Sequence, residues 1–315
     1  MTKVYSATDS FISDLKHIEV TSLGAVFDMV YADIGPRDGP VIIGVHGTPA
    51  TYKTFFSLFE YFSKAGIRFI AVNMPGMGYT ELDKGKTFDF SPTHKAEVVK
   101  AFIKAMKLQR VDILLGHSLA SHTCSHIVHD PSMNMVKSVA FLSGAGLVPH
   151  RPLRPVPIIK YMSCLIYNLY QIPLLCILIG WLANWLYSLF GLRGRTVESN
   201  VYSMYEAFKI DFKLFNSHLS DITRRNFPLL MIYTMDDPII DLHVSEGIVE
   251  KLQIPDSNII KCNTQGVFNS QLTDDQLHRV VVFEGGHHRP QWKYPEIVCE
   301  QLKSMVLALR TTSKL

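Results

Sequence analysis

The feature that most constrains this chain is a serine placed where an apolar strand meets a helix. Residues 110–115 (RVDILL) read as a buried strand, and a helical pattern runs from about 118 through Val128. Between them stands Gly116-His117-Ser118-Leu119-Ala120. A nucleophilic serine has to be raised on a tight strand-to-helix turn, with small neighbours so that the strained backbone avoids clashes. Serine is also a favoured helix N-cap in any protein, so the rest of the chain has to decide between the two roles.

The surroundings are those of an α/β domain. Residues 25–34 form a β-rich run leading to an apolar strand at 40–45, a helix pattern at 51–64 and a strand at 67–73. Ser91-Pro92 starts a helix reaching about Leu108, with a side-chain cap and proline at the first helical position. After the 110–115 strand and its helix comes another apolar strand at 136–143. Strands separated by helices predict a mainly parallel sheet covered on both faces. Four prolines between Val148 and Pro157 then interrupt the pattern. Residues 158–225 read as helices only, and strand–helix alternation returns at 228–234, with a strand at 279–284 and a helix at 294–310. The predicted organisation is one α/β core, residues 1–145 plus 226–315, with a helical cap inserted at 146–225.

Four further motifs accompany the serine: GVHGTPATY at 44–52, NMPGMGYT at 73–80, MDDP at 235–238 and GGHH at 285–288. Taken together with the elbow, which stands third along the chain, the five segments resemble the α/β-hydrolase superfamily over essentially the whole core. They correspond in turn to its nucleophile elbow, its oxyanion loop, the loop after the next strand, and the acid and histidine loops. The chain order serine, aspartate, histidine is the one this fold uses. A looser resemblance, to nematode-type members, implies no particular substrate. Two positions depart from the family pattern: Ala120 replaces the elbow's second glycine, and Asn73 stands where aspartate is common.

The resemblance implies Ser118 as nucleophile, with backbone N–H groups of Thr48 and Leu119 as the oxyanion hole. It implies His287 as general base, directly after Gly286, and leaves His288 to pack or face solvent. It implies Asp237 as the acid, three residues beyond its strand and before Pro238, and leaves Asp236 as a turn residue. His46 is expected to be a structural hydrogen-bonder. A serine nucleophile forms an acyl-enzyme that water then hydrolyses. It argues against the epoxide-hydrolase and dehalogenase branches, whose nucleophile is a carboxylate. The expected activity is a serine hydrolase, carboxylesterase- or lipase-like, acting on esters with apolar, lipid-like acyl groups and needing no cofactor. An amidase or peptidase of the same mechanism, and a non-catalytic ligand-binding protein on the same fold, are the alternatives.

Composition narrows the setting. With 47% hydrophobic and 19% charged residues the chain can bury a sizeable core. A net charge of +3 gives no ground for a nucleic-acid partner. The five cysteines are scattered without CxxC spacing, as buried thiols of a reducing compartment would be. The N-terminal twenty residues hold no apolar stretch like that of a signal peptide, and no Asn-x-Ser/Thr sequon occurs, so an intracellular, cytoplasmic-side location is expected. His122, His126 and His129 share a helix face at i, i+4, i+7, but no accompanying carboxylate motif points to zinc, and packing or solvated histidines are the expectation.

The insertion is the unusual segment. Residues 161–192 carry no charge, and 172–191 are apolar enough to pass a hydropathy test for a membrane span. A single crossing would put Ser118 on one side and Asp237 with His287 on the other, so a crossing is not expected. Two readings remain: helices buried over an acyl pocket, or helices that also dip into a membrane surface. Trp181 and Trp185 lie at i, i+4, and Arg151, Arg154, Lys160, Arg193 and Arg195 flank the apolar run. That pattern suits anionic headgroups.

Overall fold

The computed structural model describes residues 15–82, 88–269 and 276–312. The reading of the N-terminal segment falls mostly on residues 1–14, outside the described residues. In chain order the core begins with β1 (Lys16–Ser22), β2 (Ala25–Ile34), β3 (Val41–Val45), α1 (Phe56–Lys64), β4 (Arg68–Val72) and α2 (Pro92–Ala105). It continues through β5 (Ile113–His117), α3 (Ala120–His129) and β6 (Val139–Leu142). Three helices, α4 (Val156–Tyr170), α5 (Cys176–Ser188) and α6 (Val197–Lys209), intervene before α7 (Phe212–Arg224) and β7 (Leu229–Thr234). The chain ends with α8 (Leu242–Lys251), β8 (Ile259–Cys262), β9 (His278–Phe283), the short α9 (Pro290–Lys293) and α10 (Pro295–Thr312).

The strands form one sheet in the order β1-β2-β4-β3-β5-β6-β7-β9-β8. The first two join antiparallel, β2 pairs antiparallel with β4, and every later pairing is parallel. Parallel strands need helical crossovers, and these cover both faces, so the central strands are apolar throughout rather than alternating. In β7, Leu229, Met231 and Tyr233 enter the core on one face, and Leu230 and Ile232 that on the other. The core on the first face also holds residues of α2, α3, α7 and α8, such as Phe102, Ile127, Leu219 and Ile248. The core on the second face holds residues of α1 and α10, among them Phe59, Phe62, Leu302 and Met305.

The direction of strand addition reverses at β3: β4 lies on one side of it and β5 on the other. At such a switch point the loops leaving adjacent strands part, and their carboxyl ends frame a crevice. The loops after β3 and β5 carry Gly47 and Ser118.

Three features depart from the sequence reading. β1 completes a hairpin with β2 through Leu23 and Gly24, with φ of +53° and +74°. Two-residue hairpin turns of this kind usually advertise themselves as Asn-Gly or Asp-Gly, and leucine in the left-handed position hides the signal. β8 is only four residues long and was not foreseen either. The expected insertion boundary at 225 is one helix too late. The apolar face of α7, with Phe215, Leu219 and Ile222, lies within the sheet core, whereas α4 and α6 only reach its edge through the partly buried Tyr167, Tyr202 and Tyr205. A buried ion pair ties them down: Lys95 of α2 donates to Glu206 of α6. Among the described residues no helix is long and apolar enough to cross a membrane.

Candidate active site

Strand β5 ends at His117, and the chain enters α3 at Ala120 through Ser118, whose φ is +55°. A left-handed serine is uncommon and is held by its surroundings. The Ser118 amide donates to the Leu142 carbonyl, and its own carbonyl accepts from Ser121 and Ala145. A side chain at Gly116 would meet the Ala120 carbonyl oxygen at 2.8 Å and Cys124 Sγ at 2.9 Å. Glycine is therefore required at 116, whereas the methyl of Ala120 is simply buried. A Cβ at Gly47 would sit 2.7 Å from that of Ser118, so the loop after β3 runs directly against the serine.

Ser118 lines a cavity of about 220 Å³ shared with Gly47, Thr48, Leu119, His150 and His288. Thr48 also anchors the loop to the insertion, its Oγ1 donating to Ser203 Oγ of α6 at 2.6 Å. His46 lies just outside the cavity. Its Nδ1 donates to the Gly47 carbonyl and its Nε2 accepts from the Met74 amide, at 2.7 and 3.0 Å. Full burial lowers its pKa to about 4, which keeps the ring neutral and fit for that bridging role.

The histidine in the site is His288, and the expectation of His287 is corrected here. Gly286 and His287 have φ of +136° and +53°. This turn throws the His287 ring outward, where it is 79% exposed and pairs with Asp236 at 3.1 Å. The Asp236 carboxylate also accepts from the His287 amide at 2.8 Å, and Thr234 Oγ1 donates to the His287 carbonyl. One residue on, the His288 ring turns inward, 10% exposed, with Nδ1 2.8 Å from Asp237 Oδ2. The second oxygen of Asp237 accepts from the amides of Ile239 and Ile240 at 2.8 and 3.0 Å. The carboxylate is thereby fixed on three sides. The doubled motifs Asp236-Asp237 and His287-His288 form two parallel pairs in one register. The sequence shows both pairs but not their register, which the turn at Gly286 and His287 sets.

Two further histidines reach the site that sequence reasoning did not single out. His117 Nε2 donates to the His288 carbonyl at 3.1 Å, and the two rings lie 4.9 Å apart. Burial, and then the proximity of His288, hold its pKa well below the ordinary value. His150 stands in the cavity wall, and burial lowers its pKa to about 4. The histidines of α3 have other roles. His122 stacks on Phe215 at 3.9 Å, and His129 pairs with Asp221 at 3.1 Å. The five cysteines form no disulfide.

The rest of the cavity wall is mainly apolar and comes largely from the insertion: Ile159 and Met162 of α4, Leu186 near the end of α5, Phe190 and Leu192 beyond it, and Met204 of α6; Arg289, Thr54, Ser163 and Tyr187 interrupt it.

A switch-point crevice with a serine elbow after β5, and a histidine–aspartate pair on the loops after β9 and β7, defines the class as an α/β hydrolase. The chain belongs to the family described as "Alpha/beta hydrolase of unknown function (DUF1057)", which matches residues 7–307. Over 100 residues it is 35% identical to "Epoxide hydrolase 2" of Caenorhabditis elegans, covering 32% of this chain and 26% of that protein. Over 102 residues it is 31% identical to "Bifunctional esterase/perhydrolase DCH" of Acinetobacter calcoaceticus, covering 32% of this chain and 35% of that one. The chain thus spans about a third or less of the length of either relative. In overall shape it resembles a thermophilic esterase from Thermogutta terrifontis, with a TM-score of 0.66 at 13% identity, over 93% of this chain and 99% of the other.

Proposed function

We propose that the protein is a serine hydrolase that cleaves carboxylic esters with apolar, lipid-like acyl groups. One observation carries the reading. Ser118, on a left-handed elbow, lines the same cavity as His288, and His288 is held by a buried carboxylate 2.8 Å away. In this scheme His288 takes the Ser118 proton as Oγ attacks the ester carbonyl carbon. Asp237 accepts from Nδ1–H, which fixes the tautomer and stabilises the imidazolium. Backbone N–H groups of Thr48 and Leu119 stabilise the oxyanion. The carbonyl re-forms as the alcohol leaves with the proton from His288. Water, activated by the same ring, then releases the acid and regenerates Ser118.

The insertion's stretch of the wall, Ile159, Met162, Leu186, Phe190, Leu192 and Met204, favours an acyl chain lying along it, because a charge set against those side chains would lose its hydration without compensation. A carboxylate-nucleophile reaction of the epoxide-hydrolase type needs an aspartate at the elbow, where this chain has serine. A fluorophosphonate probe tests the scheme. It should label the wild-type protein at Ser118, and Ser118→Ala should abolish labelling together with hydrolysis of p-nitrophenyl esters. Labelling that survives the substitution would move the nucleophile elsewhere.

A further inference from the structure

Most of the large apolar side chains exposed among the described residues lie between 158 and 190. On α4 they are Ile158, Tyr161, Met162 and Leu165, the i, i+3, i+4, i+7 positions of one face. The opposite side, through Ser163 and Ile166, is buried. On α5 the exposed residues are Ile177, Leu178, Trp181, Leu182 and Trp185, while Ile179, Gly180 and Ala183 are buried. Ile166, Ile179, Ala183 and Val201 form a small core of their own where α4, α5 and α6 meet. This core consumes the inward faces and leaves the outward ones open to water. Leu174, in the turn between α4 and α5, is 94% exposed and Trp181 is 77% exposed.

We propose that the outer faces of α4 and α5, with the turn joining them, dock onto a lipid bilayer bearing anionic headgroups. Three observations select a lipid surface over a protein partner. Residues 161–192 contain no charge at all, whereas protein interfaces carry polar rims and regular hydrogen bonds. α5 is 13 residues long, so it lies in the interfacial plane and does not cross. Two tryptophans on one exposed helix face are the side chains that settle at headgroup depth.

The charges at the margin agree. Arg193 and Arg195 are exposed directly after the apolar run. Arg195 donates to the Gly78 carbonyl and lies over the Tyr79 ring at 4.0 Å, and among the described residues no carboxylate pairs with it. Arg151 and Arg154 share one carboxylate, Asp241, so together they add a single net positive charge. Met162 and Phe190 are exposed and also line the cavity. The docked face is thus continuous with the cavity wall, and an apolar ester could reach Ser118 without passing through water. That last step rests on the proposed hydrolase activity; the docking does not.

The two are kept apart by testing docking on the full-length Ser118→Ala protein, by flotation with phosphatidylcholine vesicles with and without phosphatidylserine. The expected result is co-flotation, stronger with phosphatidylserine and weakened by salt. Trp181→Ala combined with Trp185→Ala should reduce binding by roughly tenfold or more, since two exposed rings no longer leave water. Circular dichroism and the melting temperature should be unchanged. Restoring Ser118 in that double variant should give normal turnover of short soluble esters. Arg193→Glu should lower binding to the anionic vesicles alone. Undiminished binding by the tryptophan variant would overturn the proposal. So would failure to bind any vesicle, and a concentration-dependent dimer in light scattering would then assign the face to a second copy.

Discussion

Strand β7 (LLMIYT) and helix α5 (CILIGWLANWLYS) are both uncharged and mainly apolar, yet β7 buries all six residues and α5 buries three of thirteen. The difference is one of cover. A central strand of a parallel sheet has helices over both faces, so every side chain finds a partner. A helix in an outer layer has one covered side, and an all-apolar sequence then leaves the remainder facing outward. Apolar content measures what would leave water if it could; the layer decides whether it does. The same division separates the chemistry. The core holds the serine, the histidine and the acid in fixed backbone geometry, whereas the insertion supplies an apolar wall inside and an apolar face outside.

If position matters most in the core, a shift of one residue there should be decisive. His288→Ala should reduce kcat by about four orders of magnitude, the scale of losing a triad member. His287→Ala, on the exposed ring beside it, should change kcat by less than about threefold, because surface changes away from such features act weakly. Equal losses would remove the distinction between the two Asp–His pairs. Stability should divide in the same way. Phe69 is fully buried and stacks with Phe62 at 5.3 Å. Phe69→Ala should cost about 3–5 kcal/mol in urea unfolding, from lost transfer energy and the cavity left behind. Leu178→Ala, on the open face of α5, should fall within about 0.5 kcal/mol. A large effect at Leu178 would mean that its face is covered in solution.

Acid should act on the histidines of the core, with an effect per residue below that of His288→Ala or Phe69→Ala. Residues 156–209 contain no histidine, while burial lowers His46 and His150 to about 4 and His122 to about 3. The unfolded chain takes up protons at these rings near its ordinary value of about 6.5, and the folded chain does so only well below it. Stability is therefore fully present above about pH 6.5 and falls as the pH drops toward 4, by on the order of 1–3 kcal/mol per buried ring. The melting temperature measured from pH 8 to pH 4 should be level above neutrality and then decline. Replacing His122, which stacks on Phe215, by Phe should flatten part of that decline. A profile independent of pH would contradict the burial of these rings.

How much of this was legible in the sequence varies by element. The helix beginning at Pro92 could be read because its cap is local: Ser91 accepts from the His94 amide three residues away. The strands from β3 through β7 could be read because burial on both faces writes itself as unbroken apolar runs. The elbow at Ser118 could be read because only small residues fit its flanks. The β1–β2 hairpin could not, because leucine occupies a left-handed position that sequence rules reserve for glycine or asparagine.

The sequence by itself determined the α/β alternation, the interruption after β6, the serine between strand and helix, and an insertion too apolar to be an ordinary surface segment. Tertiary structure decided which of two adjacent histidines enters the site. The sequence holds two aspartates and two histidines, and the choice depends on the left-handed turn at Gly286 and His287, which sends one ring to solvent and the next inward. It also decided that α7 belongs to the sheet core and that α4 and α5 turn apolar faces to the outside. Local sequence fixes which residues repel water, because that is a property of each side chain. Which of them are covered depends on what the rest of the chain lays against them, and that is settled only when distant segments pack.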